Sequence, residues 1–288
     1  IGVIGAGRMG EGIALAFAHA GIPITVIDVK QRSADDRSAY FQQVHAHLDT
    51  ELQLLVRLGV LTDDQSGTIA DRISLASRDE AAALLARCDL VFEAVPEVLA
   101  IKAEQLGWGG EKVAEDTVIA STTSTFLVTE LATMVPRPER FINAHWLNPA
   151  HLMPLVEVIR GDLTSDETVA AGRDFVHTLG KTPVLCIDSP AFIVNRVARP
   201  FYGEAFRLLG ERAAEPETID RLITSLGFRM GPFQLLDLIG LDVNLAVTRS
   251  VYEAFFHDPR YRPHPIQQRM VDSGRLGRKS GRGFYEYG

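Results

Sequence analysis

Ile1-Gly2-Val3-Ile4-Gly5-Ala6-Gly7-Arg8-Met9-Gly10, an Ala-rich stretch ending at Gly21, and then Ile24-Thr25-Val26-Ile27-Asp28 together decide the fold. An apolar strand runs without a gap into a G-x-G-x-x-G turn, a helical stretch follows, and a second strand ends in a carboxylate. This is a βαβ unit with the dinucleotide-binding fingerprint in its required context. Gly5 allows the tight turn, Gly7 lets the backbone approach a pyrophosphate, and Gly10 lets helix and strand pack closely. Arg8 and Met9 open the helix whose N-terminus faces the anion. Asp28 ends the second strand, where a carboxylate accepts hydrogen bonds from an unmodified ribose and repels a 2′-phosphate. The expected cofactor is therefore NAD rather than NADP.

Downstream of this unit, residues 31–75 are polar with Phe41, Val44, Leu48, Leu52, Leu55 and Leu58 at helical intervals, and Thr62-Asp63-Asp64 offers an N-cap for a second helix. The pattern predicts a helical hairpin inserted between sheet elements. Leu90-Val91-Phe92-Glu93-Ala94-Val95, Val118-Ile119-Ala120-Ser121, Phe141-Ile142-Asn143-Ala144, Leu155-Val156-Glu157-Val158-Ile159 and Pro183-Val184-Leu185-Cys186-Ile187 read as further strands. The expected fold is α/β: a doubly wound, Rossmann-type, mostly parallel sheet of six to eight strands. After Asp188-Ser189-Pro190 the strand signals stop. Residues 1–188 read as the NAD-binding domain, and residues 189–288 as a smaller all-α domain.

The 288 residues are 46% hydrophobic and 23% charged, the balance of a folded globular chain rather than of a disordered or collagenous one. No apolar stretch reaches the ~18 residues of a membrane span, and no secretory leader pattern precedes the first strand, so a cytoplasmic protein without membrane contact is expected. Ile1 already lies inside a strand pattern, which places the native start upstream. Two cysteines, Cys88 and Cys186, are too few for a disulfide framework or a metal cluster, and no metal is expected. The net charge of −8 argues against nucleic-acid binding. That charge is uneven, with residues 1–188 strongly acidic and residues 189–288 slightly basic. Lysine is rare beside arginine, so each lysine draws attention.

A dehydrogenase needs a proton acceptor beside the dinucleotide. His145 ends an apolar strand and is followed by the loop former Asn148-Pro149, and ligands of doubly wound sheets sit beyond the strand C-termini. Twelve residues on, Glu157 interrupts a run of valines, where a buried carboxylate is costly without a partner. The imidazole is a natural partner, and a carboxylate would fix its tautomer. Spacing alone leaves open a satisfied core histidine and an unrelated edge-strand glutamate.

Six separated blocks carry a wider resemblance. They are residues 5–10, Glu93-Ala94-Val95-Pro96-Glu97 with Lys102, His145 to Asn148 with Glu157, Ala191-Phe192-Ile193-Val194-Asn195-Arg196, Gly231-Pro232-Phe233 with Leu236-Asp237, and Gly277-Arg278-Lys279-Ser280-Gly281 before Gly283-Phe284-Tyr285. In these the chain resembles the L-3-hydroxyacyl-CoA dehydrogenase family, which includes 3-hydroxybutyryl-CoA dehydrogenases of fatty acid metabolism and CoA-free relatives acting on carnitine, gulonate and a pyridine carboxylate. The resemblance implies that His145 is the catalytic base, Glu157 its orienting carboxylate, and Ser124 and Asn195 the holders of the substrate oxygen. It also implies that Asp28 is the ribose acid, that Glu97 and Lys102 line the nicotinamide side of the cleft, and that Asn148 and Lys279 are further cofactor contacts. A homodimer through the helical domain is implied as well, in line with its apolar runs Phe192-Ile193-Val194, Leu235-Leu236 and Phe255-Phe256.

The chain also departs from the family pattern. The usual Asn-Thr-Ser-Ser is Thr122-Thr123-Ser124-Thr125, and the two phenylalanines after the histidine are Trp146 and Leu147. Trp146 is expected to reshape the acyl pocket, and His151 reads as a solvated turn histidine. Residues 31–76, which in CoA-using members help to hold CoA with basic side chains, carry four arginines against seven acids and no lysine. The favoured reading is NAD-dependent oxidation of a short-chain L-3-hydroxyacyl-CoA. The alternatives are a dehydrogenase of a small CoA-free 3-hydroxy carboxylate and a catalytically idle NAD-binding structural protein, against which the set His145, Glu157, Ser124 and Asn195 stands.

Overall fold

A computed structural model describes residues 1–288 and divides them into two compact units, Ile1–Ser189 and Pro190–Gly288. Unit 1 opens with β1 (Gly2–Ile4), α1 (Arg8–His19) and β2 (Ile24–Asp28). The hairpin α2 (Ala34–Arg57) and α3 (Asp63–Ala70) follows, then β3 (Ile73–Ser77), α4 (Arg78–Leu85), β4 (Leu90–Glu93), α5 (Leu99–Gly110) and β5 (Val118–Ser121). The unit closes with α6 (Val128–Ala132), β6 (Phe141–Trp146), β7 (Leu155–Arg160), α7 (Asp166–Thr178) and β8 (Thr182–Ile187). As expected, Thr62 starts α3, in a reciprocal capping box with Gln65.

The eight strands form one sheet in the order β3-β2-β1-β4-β5-β6-β7-β8. Every neighbouring pair is parallel except β6 and β7, which are antiparallel. The strand order reverses between β1 and β4, the switch point at which such sheets hold ligands. Side chains alternate between the two faces. Phe92, Ala120, Ile142, Ala144, Trp146, Val156 and Val158 join α1 and the hairpin in one apolar core. On the opposite face Glu93, Ser121 and Asn143 stand in register across β4, β5 and β6, and His145 stands opposite Glu157 across β6 and β7.

β3 was not anticipated. It begins within the stretch read as hairpin, and at the sheet edge a short run with Ser74 exposed carries too few apolar positions to stand out. Leu58, the last of the residues at helical intervals, is 65% exposed, because α2 ends at Arg57 and Leu58 already caps it.

Unit 2 comprises α8 (Val194–Gly210), α9 (Pro216–Ser225), α10 (Pro232–Ile239), α11 (Leu241–Ala254) and α12 (Pro265–Asp272) around Phe206, Phe233, Leu236, Leu241 and Met270. Two buried carboxylates organise it. Asp220 accepts the Phe233 and Gln234 N–H groups at the start of α10 and the Tyr285 hydroxyl, at 2.8–2.9 Å. Asp237 accepts the Phe284 and Tyr285 N–H groups and the Tyr287 hydroxyl, at 2.9–3.0 Å. A Cβ on Gly283 would lie 2.0 Å from Asp237 Oδ1, so glycine is required there. Two of the sequence blocks thus secure the C-terminal tail. No helix is long and apolar enough to cross a membrane.

Candidate active site

The Gly-rich turn is built tight on two sides and open on the third. Gly5 has φ +119°, and a Cβ there would meet Ala94 O at 2.6 Å. A Cβ on Gly10 would meet Gly5 O at 2.0 Å, whereas one on Gly7 would have no atom within 4 Å. Gly7 is also the N-cap of α1, and no side chain caps that helix. Its first N–H groups and the positive end of its dipole therefore face open space at Gly7. Arg8 is exposed beside this opening, and Met9 packs against the core. Asp28, 4% exposed, accepts from Arg32 Nε at 2.6 Å and from the Lys30 N–H at 3.3 Å. The Arg32 guanidinium lies 3.9 Å over the Tyr40 ring, and the Tyr40 hydroxyl donates to Ala6 O at 2.7 Å, tying α2 to the turn. Uncapped donors, an open cradle and a strand-end carboxylate fit a dinucleotide.

The reversed strand pair converts a separation of twelve residues into contact. His145 and Glu157 are direct cross-strand partners, both buried, with Nδ1 2.6 Å from Oε2. An ionised carboxylate only accepts, so Nδ1 carries the proton and Nε2 is left as acceptor. The Ser124 hydroxyl, in the turn after β5, lies 3.1 Å from that Nε2. Behind the pair, the Cys186 thiol on β8 lies 3.7 Å from Glu157 Oε1. Burial and the Glu157 charge push this thiol up to about 12, so it remains protonated.

A second polar group lies one strand over. The wholly buried Lys102 ammonium of α5 is 2.9 and 3.0 Å from the two oxygens of the equally buried Glu93, and 3.2 Å from Glu97 Oε2. The Ser121 hydroxyl donates to Glu93 at 2.6 Å. Burial pushes the Glu97 carboxyl up, but Lys102 and the Thr123 and Thr125 hydroxyls outweigh it and hold Glu97 below the ordinary carboxylate value. Asn143 Nδ2 donates to Thr123 O at 3.1 Å. Glu93, Ser121, Thr123 and Asn143 were not among the site residues expected from the sequence. A signal for Glu93 was available, since it interrupts an apolar strand just as Glu157 does.

The turn after β6 places Asn148 on the surface and packs onto α1, where a Cβ on Gly12 would meet Ala150 Cβ at 3.1 Å. Asn148 and His151 line a cavity of about 610 Å3 together with Gly7, Arg8, Glu11 and Glu51. His151 is thus not a solvated turn residue. Its side chain is 8% exposed and 3.6 Å from Glu51, because the turn folds back against the hairpin. Burial, with Lys181 and His19, lowers its pKa against the pull of Glu51. Burial, with Glu51 adding repulsion, raises that of Glu11 against the pull of His47. Trp146 needs correction too. Strand alternation turns it away from His145 into the core, edge-on to Phe92 at 5.9 Å, so it does not border the base. Asn195 and Lys279 belong to unit 2. Asn195 sits in the first turn of α8, and Lys279 pairs with Asp242 at 2.6 Å.

A histidine–carboxylate pair held at the strand ends of a sheet that carries a dinucleotide turn places the chain among the NAD-dependent dehydrogenases. Residues 1–189 match the NAD-binding domain of 3-hydroxyacyl-CoA dehydrogenase and residues 192–287 its C-terminal domain, so the chain belongs to the 3-hydroxyacyl-CoA dehydrogenase family. It is 41% identical over 287 residues to a probable 3-hydroxybutyryl-CoA dehydrogenase of Deinococcus radiodurans, covering 99% of each chain. It is 39% identical over 289 residues to a 3-hydroxybutyryl-CoA dehydrogenase of Bradyrhizobium diazoefficiens, covering 100% of this chain and 94% of that one. The crystal structure of the (S)-3-hydroxybutyryl-CoA dehydrogenase of Ralstonia eutropha superposes with a TM-score of 0.89 at 39% identity, covering 100% of this chain and 98% of that one.

Proposed function

We propose that the chain oxidises the secondary alcohol of short-chain L-3-hydroxyacyl-CoA thioesters to the 3-keto compound, with His145 as base. The observation that carries this reading is the hydrogen-bonded series Ser124 Oγ, His145 Nε2, His145 Nδ1 and Glu157 Oε2. Bound NAD supplies the hydride acceptor. His145 Nε2, unprotonated and facing the Ser124 hydroxyl, takes the substrate hydroxyl proton. Glu157 then balances the imidazolium in a site where an unpaired charge would be costly. Ser124 holds the substrate oxygen, a role that the family resemblance also gives to Asn195 of unit 2. The residues that hold the cofactor are Gly5, Gly7, Arg8, Met9 and Gly10 at the pyrophosphate and Asp28 at the ribose, with Glu97, Lys102 and Asn148 as further contacts; the family resemblance adds Lys279 of unit 2.

Relatives named for 3-hydroxybutyryl-CoA support a short acyl chain on CoA rather than a free acid. The test is NADH oxidation with acetoacetyl-CoA and with free acetoacetate. Efficient turnover of the thioester, with competition by added CoA, is expected. Higher efficiency with the free acid and no competition by CoA overturns the carrier.

A homodimer through unit 2 belongs to the same reading. It is supported by Leu222, Leu226 and Phe228, exposed by 59, 75 and 53%, since apolar groups gathered at one end of a helix favour a partner.

A further inference from the structure

Ser124 is held in place by a carboxylate that it does not itself touch through its side chain. Glu97 Oε1 accepts the backbone N–H groups of Ser124 and Thr125, each at 3.0 Å, the Thr125 hydroxyl at 2.7 Å and the Thr123 hydroxyl at 2.5 Å. Thr123 Oγ1 accepts in turn from the Phe126 N–H at 3.0 Å, and Asn143 Nδ2 grips Thr123 O from β6. Within residues 123–125 the two threonine hydroxyls bind the clamp, and the serine hydroxyl alone points at His145 Nε2. The other Glu97 oxygen rests on Lys102, whose ammonium is fixed by Glu93.

From this geometry we infer that Glu97 is a positioning residue for Ser124, acting through the turn 123–125, with Lys102 as the counter-charge that holds the carboxylate in place. The inference rests on the proposed role of Ser124 toward the substrate oxygen. A carboxylate is required because every contact demands an acceptor. An amide at the same place must aim its NH2 either at the turn's N–H groups or at the Lys102 ammonium, so one side of the clamp is lost whichever way it turns. The threonines at 123 and 125 add two hydroxyl donors to the same oxygen, and misplacement of an oriented group by about 1 Å costs on the order of 10²-fold in rate.

The experiment is a double-mutant cycle in acetoacetyl-CoA reduction, read beside hydrogen exchange of the Ser124 and Thr125 amides in the substrate-free enzyme. Glu97→Gln is expected to lower kcat, measured at saturating NADH, by on the order of 10- to 100-fold. The same substitution on a Ser124→Ala background is expected to cost almost nothing further. Amide exchange at Ser124 and Thr125 should accelerate at least about tenfold in Glu97→Gln, since the amide either turns its NH2 on them or loses the Lys102 counter-charge that holds its oxygen in place. Glu97→Asp should recover part of both readouts. The inference is overturned if Glu97→Gln leaves kcat at saturating NADH unchanged, if its effect multiplies with that of Ser124→Ala, or if amide exchange is unaltered. Exchange needs no substrate, so a wild-type enzyme inactive on acetoacetyl-CoA but with accelerated exchange in Glu97→Gln would refute the functional reading and leave the clamp standing.

Discussion

His145 and Glu157 can be tested one atom at a time. His145→Gln should lower turnover by on the order of 10² to 10⁴ while leaving NADH affinity, measured by fluorescence titration, nearly intact. A variant that kept more than about a tenth of wild-type turnover with chemistry rate-limiting would sink the assignment. Asp28 offers a second test, because its carboxylate occupies the Arg32 guanidinium. Asp28→Asn should free that cation for a 2′-phosphate and raise the NADP-to-NAD efficiency ratio by about 10- to 100-fold, the worth of one charge-assisted hydrogen bond. Glu97 has a sign that can be worked out. Its folded-state pKa is depressed, so its contribution is present above the unfolded value and lost as pH falls through the folded one. Protection of the Ser124 and Thr125 amides should therefore survive mild acid and vanish only below the ordinary carboxylate range. The pairing of His145 with Glu157 was half legible: a glutamate among valines demands a partner, but only the family resemblance pointed to which one. The clamp was not, because it joins the loop after β4 to the turn after β5, and nothing local in either segment announces the other.

At the scale of elements, the glycines of the first turn separate stability from binding. Gly10→Ala drives a methyl into Gly5 O and should break the seat of α1 on β1, lowering the unfolding midpoint in urea sharply. Gly7→Ala meets nothing in the protein, so it should leave that midpoint almost unchanged while raising the Kd for NADH, because the methyl occupies the space open to a phosphate. Equal effects of the two substitutions on stability would contradict the open cradle. The βαβ unit and the hairpin were readable from period and capping, as the Thr62–Gln65 box bears out. β3, Trp146 and His151 were misjudged for a common reason. Edge pairing, the face a strand residue takes, and the folding-back of a turn are all set by neighbours distant in the chain.

For the whole molecule, the proposed dimer predicts a mass of twice the chain by light scattering at micromolar concentration, and a monomeric mass would contradict it. The reversal of direction at β6 and β7 has a consequence of another kind. β6 is held by β5 as well as by β7, and α7 lies against both β6 and β7, so the register that sets His145 against Glu157 does not rest on the turn between them alone. That turn, residues 147–154, supplies Asn148 and His151 to the cavity beside the Gly-rich loop. That segment can therefore be rewritten or lengthened while the buried His145–Glu157 pair stays assembled. In evolutionary terms the sheet lets one wall of that cavity drift at little risk to the buried pair.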